Sequence, residues 1–194
     1  MSQGFSLKSE NKPTLFSWDL ETETKNVERW VLDNKNYSRR DIEKELSILK
    51  NLAFDFLQVI QENHVTPEQL DRLEQAVSSG AAGVWEKATL KLERLSYHFP
   101  TAKERIKKLI YCTGVKIVDR ALTMLNDSFS EREQYDIISY ALSHNSKKIR
   151  ARALGTVYML KKKIFLDILE KRREIETDLE IKETIDFTLD FLKN

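Results

Sequence analysis

Apolar residues recur every three or four positions along most of this chain, and the recurrence predicts helices from about residue 38 onward. Ile42, Leu46, Leu49, Ala53, Phe56 and Ile60 open the series, and Ile48, Leu52 and Val59 widen the stripe. At roughly 3.6 residues per turn that spacing holds one face for about six turns. Leu70, Leu73 and Val77 mark a second helix, and Val84, Trp85, Ala88, Leu92 and Leu95 a third. Ile106, Ile110, Ile117, Ala121 and Leu125 keep one face through Gly114, which predicts a single long fourth helix bent there. Tyr135, Ile138 and Leu142 follow, then Ile149, Ala153, Val157 and Leu160. Ile164, Ile168 and Leu169 mark a seventh helix, and Ile181, Ile185, Leu189 and Leu192 the last.

Polar punctuation supports these boundaries. Thr66-Pro67-Glu68-Gln69 reads as an N-cap, a proline at the first helical position and a capping-box glutamine. Thr101 with Glu104, and Ser130 with Glu133, read as two further boxes. Ser146 is expected to cap the sixth helix and Thr177 with Glu180 the last, while Gly80 reads as a stop. Eight helices joined by short loops predict four antiparallel pairs. His64, His98 and His144 each end a pair's first helix in this scheme, with a Ser or Thr two or three residues later. An offset of 32 places Ile149, Ala153, Val157 and Leu160 on Ile181, Ile185, Leu189 and Leu192. Such repetition of one hairpin suggests stacking in series.

Ser146-Lys147-Lys148-Ile149-Arg150-Ala151-Arg152-Ala153-Leu154 resembles the second helix of a HEAT repeat. In that family a capped turn leads into an aliphatic–basic pair, then alanine, then leucine. Asp178-Leu179-Glu180-Ile181-Lys182 repeats the opening, with Ile185 where the family has alanine. Leu70 and Ile106 lack the aliphatic–basic pair, and most first helices lack the family's proline. The resemblance is therefore fair over 131–194, faint over 38–126 and absent earlier. It implies an all-α fold, a right-handed α-α superhelix of about four antiparallel hairpins, that binds other macromolecules. Residues 1–37 read as an N-terminal tail and cap, with Phe16, Trp18 and Leu20 in a short extended piece and Val27, Trp30 and Val31 in a short helix. Residues 38–194 read as the helical-repeat domain.

Composition narrows the picture. The 194 residues include only 5 Gly and 3 Pro, too few for the turns of a many-stranded β fold. No apolar run approaches the roughly 18 residues of a membrane span, and no secretory signal opens the chain. The single cysteine, Cys112, excludes an internal disulfide and suggests a reduced, cytosolic setting. Net charge is +1, which does not suggest a chain dominated by attraction to polyanions, but the charge is uneven. Residues 145–173 hold ten Lys and Arg against Asp167 and Glu170, and the acidic run from Glu174 to Asp190 follows.

That basic cluster is the candidate site. Lys147, Lys148, Arg150, Arg152, Tyr158, Lys161, Lys162 and Lys163 could bind an acidic protein face or a phosphate backbone. Equally, they could be the solvated side of ordinary helices. Tyr158 is the one aromatic nearby, and base stacking usually needs several, which favours protein over nucleic acid. The histidines, 34 and 46 residues apart, match no compact metal motif, and no metal or other cofactor is expected. Cys112 reads as a structural thiol, and Trp85 and Tyr97 as core or pocket lining. Tyr111, Tyr135, Tyr140 and Tyr158 include candidate partner anchors. No phosphate loop, nucleophile elbow, HExxH or paired-cysteine pattern occurs, so no catalytic residue is assigned. The expectation is a non-catalytic binding protein, an adaptor or an inhibitor such as a bacterial toxin-immunity protein. The alternative is nucleic-acid binding through 145–173, similar to the use that HEAT-like DNA alkylation repair glycosylases make of a basic face. Those enzymes add an aromatic-and-aspartate pocket that has no assigned counterpart here.

Overall fold

The computed structural model describes residues 42–194, together with Lys25 and Arg29. Of the proposed cap, 1–37, Lys25 and Arg29 are described, both helical, while Trp18 and Trp30 lie outside the described residues. Within them the structure is all-α, with nine α-helices and no strand. They are α1 (Ile42–Glu62), α2 (Pro67–Ser79), α3 (Val84–Ser96), α4 (Pro100–Ile110), α5 (Val115–Leu122), α6 (Glu131–Leu142), α7 (Lys147–Leu160), α8 (Leu166–Ile175) and α9 (Leu179–Lys193), with a 3-10 turn at Lys163–Phe165. Sequence-adjacent helices pack as pairs, and none of the described helices is long and apolar enough to cross a membrane.

The expected long fourth helix is two helices. Gly114 has φ −83° and ψ 103°, an extended conformation that cannot continue a helix. Tyr111 to Gly114 therefore form the turn of a hairpin, α4/α5. Ile110 and Ile117 are both directed inward, as one continuous stripe would also require, so periodicity alone could not see the break. The division shifts the pairing: His98 now lies between α3 and α4, outside the hairpin, and the histidine echo is lost.

Caps explain most boundaries. Thr66 and Ser130 form complete capping boxes with Gln69 and Glu133. Gly80 ends α2, donating its N–H to the Ala76 carbonyl. Three other caps differ from expectation. Pro100, preset at helical φ, starts α4 one turn position early, so Phe99 is the N-cap and Thr101 lies inside the helix. Asp178, not Thr177, caps α9, accepting the Ile181 N–H at 3.2 Å. Ser146 is the N-cap of α7, but its hydroxyl makes no capping bond; its own N–H donates to His144 Nδ1 at 2.9 Å.

One apolar core runs unbroken from Leu49 to Leu192. Its repeat is visible in the last three hairpins. Ile117, Ala121 and Leu125 align at the same offset of 32 with Ile149, Ala153 and Val157, and again with Ile181, Ile185 and Leu189. All are buried except Ile117, which is half-buried. Lys116–Leu122 and Lys148–Leu154 agree at Lys, Ile, Arg, Ala and Leu. Bonds between neighbouring hairpins recur at separations of 32 to 34 residues. Arg152 Nε donates to Asp119 at 2.8 Å, 33 residues away, and Thr156 Oγ1 to the Leu122 carbonyl at 3.3 Å, 34 away. Tyr135 Oη donates to Asp167 at 2.7 Å, 32 away. Packed side by side, α5 lies on α7 and α7 on α9.

Candidate partner-binding surface

The basic cluster is folded into α7, the turn after it and α8, and the structure surrounds most of it with carboxylates. Lys147 Nζ is 2.6 Å from Glu180 and 3.0 Å from Asp178, at the facing N-termini of α7 and α9. Lys148 Nζ and Arg152 Nε each lie 2.8 Å from the buried carboxylate of Asp119 on α5. Burial alone would raise the pKa of Asp119, but these two cations bring it below the usual carboxylate range. Lys162 Nζ is 2.8 Å from Asp127. Lys171 pairs with Asp167, and Arg173 with Asp186.

Arg150 is buried rather than displayed. Its Nε and Nη2 donate to Glu176 at 2.8 and 3.1 Å, and Nη1 donates to the carbonyls of His144 and Asn145, which follow α6. Arg172 closes on the same carboxylate from α8, at 2.7 and 2.9 Å. The N–H groups of Thr177 and Asp178 complete the shell at 3.1 and 3.0 Å. Burial would push the Glu176 pKa up; the Asp178 N–H, Arg172 and Arg150 overcome that and hold it at about 2. Arg150, Glu176 and Arg172 therefore tie α7, α8 and α9 together. Arg120 does similar work one hairpin earlier. Its guanidinium donates to the carbonyls of Val77, Ser78 and Gly80 at 2.5, 3.3 and 3.1 Å, closing the C-terminus of α2, and lies 4.7 Å over the Trp85 ring.

Two predicted cations have no carboxylate partner among the described residues: Lys161 and exposed Lys163. Lys161 ends α7 in the left-handed region, φ 55°, and its Nζ stands 5.9 Å over the Phe191 ring. A non-glycine residue there costs about 1 kcal/mol or more. It adjoins an aromatic patch. Tyr158 from α7 stacks on Phe187 at 6.0 Å and lies 4.3 Å from Phe191, both from α9. Met159, 76% exposed, and Phe187, 62% exposed, complete it. Ala151 and Gly155, also exposed, continue it along α7.

Of the eight predicted site residues, the structure brings Tyr158 and Lys161 to this patch, with Lys162 and Lys163 following α7. Lys147, Lys148 and Arg152 lie towards the N-terminus of α7, and Arg150 lies inside. Sequence reasoning missed Met159, Phe187 and Phe191. The signal was present: Phe187 and Phe191, four apart, sit off the inward stripe of Ile181, Ile185 and Leu189, so a second apolar face was legible. Tyr111 forms a second exposed aromatic contact, with Tyr140 at 4.9 Å, while Cys112 is half-buried against the core. His64, His98 and His144 stand after α1, α3 and α6, respectively.

The chain matches no protein-family model, and no curated protein matches it.

Proposed function

We propose that this is a non-catalytic protein-binding helical-repeat protein, an adaptor or inhibitor of the cytosol. Its hairpins would form a HEAT-like right-handed superhelix, with α5, α7 and α9 as the layer that meets the partner. The observation that carries this reading is the patch of Tyr158, Met159, Phe187 and Phe191. Large apolar side chains grouped in the open mark interaction surfaces, and aromatic residues and Met are enriched at such contacts. An immunity protein of a bacterial toxin is one form such an inhibitor could take.

Protein is favoured over nucleic acid because the cations are spoken for. Lys147, Lys148, Arg150, Arg152 and Lys162 face carboxylates of the same chain, so releasing them to phosphates would break existing pairs. The test is crosslinking of the full-length protein in lysate at low salt, with Phe187→Ser as the control. Specific partners retained by the parent and lost by the variant are expected. No retained protein, together with DNA or RNA binding that falls steeply between 50 and 200 mM salt, roughly as for a multi-phosphate contact, would reverse the reading.

A further inference from the structure

The turns inside the last three hairpins repeat one arrangement. At the offset of 32, Cys112, His144 and Glu176 share a position, two residues before the N-caps Gly114, Ser146 and Asp178. Each side chain folds back on its N-cap. Cys112 Sγ points to the Gly114 carbonyl at 4.0 Å, His144 Nδ1 accepts the Ser146 N–H at 2.9 Å, and Glu176 Oε1 accepts the Asp178 N–H at 3.0 Å. Between α5 and α6, Asn126 Oδ1 accepts the Ser128 N–H at 2.8 Å in the same way. Such a side-chain bond closes a turn in place of a backbone one. Asp178 secures α9 with a second bond, to the Ile181 N–H; the Ser146 hydroxyl makes no equivalent one.

These three acceptors differ in how they meet a proton. An amide takes none, and the Glu176 carboxylate stays ionised down to about pH 2. Imidazole is the side chain that changes charge between roughly pH 5 and 8. With Nδ1 accepting, the neutral ring carries its proton on Nε2; a second proton turns Nδ1 into a donor that faces the Ser146 N–H. The surroundings do not offset this. Among the described residues His144 makes no ion pair. From α7, Arg150 Nη1 donates to its carbonyl at 3.1 Å, and Arg150 shares the one carboxylate of Glu176 with Arg172 of α8. Lys147, Lys148 and Lys171 each have a carboxylate of their own. From α6 the Tyr140 ring stands edge-on at 6.3 Å, itself against Tyr111 of the α4–α5 turn, and Asp136 lies farther back on α6.

We propose that His144 is an acid-sensitive latch on the α6–α7 turn: a proton on Nδ1 releases the Ser146 N–H and frees the start of α7, while the equivalent turn at Glu176 stays closed. The neutral ring belongs to the closed turn and the protonated ring to the open one. Acidification from about pH 8 to 5 therefore weakens the turn, and a return to neutral pH restores it. The Arg150–Glu176 pair persists through that range, so α7 loosens at its first turn without leaving the stack.

Two measurements on the full-length protein and one variant test it. Nitrogen-15 spectra of labelled histidine at about pH 7.5 should show the His144 ring proton on Nε2 and none on Nδ1. Hydrogen exchange read by mass spectrometry, corrected for the intrinsic pH dependence of exchange, should show protection of residues 143–150 falling roughly three- to tenfold between about pH 7.5 and 5, the worth of one hydrogen bond. Protection of 175–182 should not change. His144→Asn keeps an acceptor, as Asn126 shows, so it should hold the neutral-pH protection and lose the pH effect. A proton on Nδ1 at neutral pH, equal protection of 143–150 at both pH values, or the same loss in His144→Asn would overturn the inference. The first two measurements need no variant and decide the matter even where asparagine prevents folding.

Discussion

Glu176→Gln is expected to lower stability by about 3–5 kcal/mol, the cost of leaving buried cations without their counter-charge. Glutamine keeps the shape of the side chain but cannot balance Arg150 and Arg172 together, and its NH2 group would face donors instead of accepting from them. Urea unfolding followed by circular dichroism would measure the loss. The pH dependence should change with it. The folded pKa of Glu176 is depressed to about 2 from 4.5, so its contribution is complete above pH 4.5 and disappears as the pH falls toward 2. That contribution is about 2–3 kcal/mol once solvent screening trims the ideal value. Glu133 is placed similarly. Burial would raise its pKa, but Lys107, the Ser130 N–H and hydroxyl, and Lys103 bring it to about 2. The parent should therefore lose stability steeply below pH 4.5. Glu176→Gln should show a shallower acid slope, with the share of Glu133 remaining. An unchanged slope would mean that Glu176 is not the acid-sensitive clamp.

Arg120→Met should cost about 3 kcal/mol. Methionine approximates the stem but leaves the Val77, Ser78 and Gly80 carbonyls without their donor, and buried polar groups left unpaired cost about 1–3 kcal/mol. It also removes the guanidinium from the Trp85 face. For a chain of this size that corresponds to a fall in melting temperature of roughly 6–12 °C. Arg120→Lys should recover less than half, because one ammonium cannot reproduce the fork that reaches three carbonyls. Trp85 fluorescence should shift in both variants, which separates loss of this contact from general destabilisation.

Much of this architecture was legible because helix faces announce themselves by spacing. The described stripe positions of α1, α2, α3, α6, α7 and α9 are buried or half-buried, and the Thr66 and Ser130 boxes matched their caps. The turn at Gly114 was not legible: seven residues from Ile110 to Ile117 are two helical turns, the spacing of one straight helix as well as of two inward-facing ones. Yet Lys116–Leu122 repeats Lys148–Leu154 closely enough that aligning the two would have exposed α5 as a second helix. The candidate site was legible only in part. Sequence shows that Lys148, Arg150 and Arg152 are cations; it does not show that Asp119 and Glu176, 29 and 26 residues away, are folded against them. Long-range pairing depends on which hairpin lies beside which, and no local pattern carries it.

The 32-residue ladder has a mechanical meaning. Linkage from α5 to α7 to α9 runs between neighbours, so tension on the C-terminus would load α8 and α9 before anything upstream. The Glu176 clamp would resist first, and once it parted the terminal hairpin would peel away as a discrete step with Arg120 still holding its carbonyls. The proposed HEAT-like array would stretch like a stack of coins separated one at a time, and would regain its length by the same steps when the load is released.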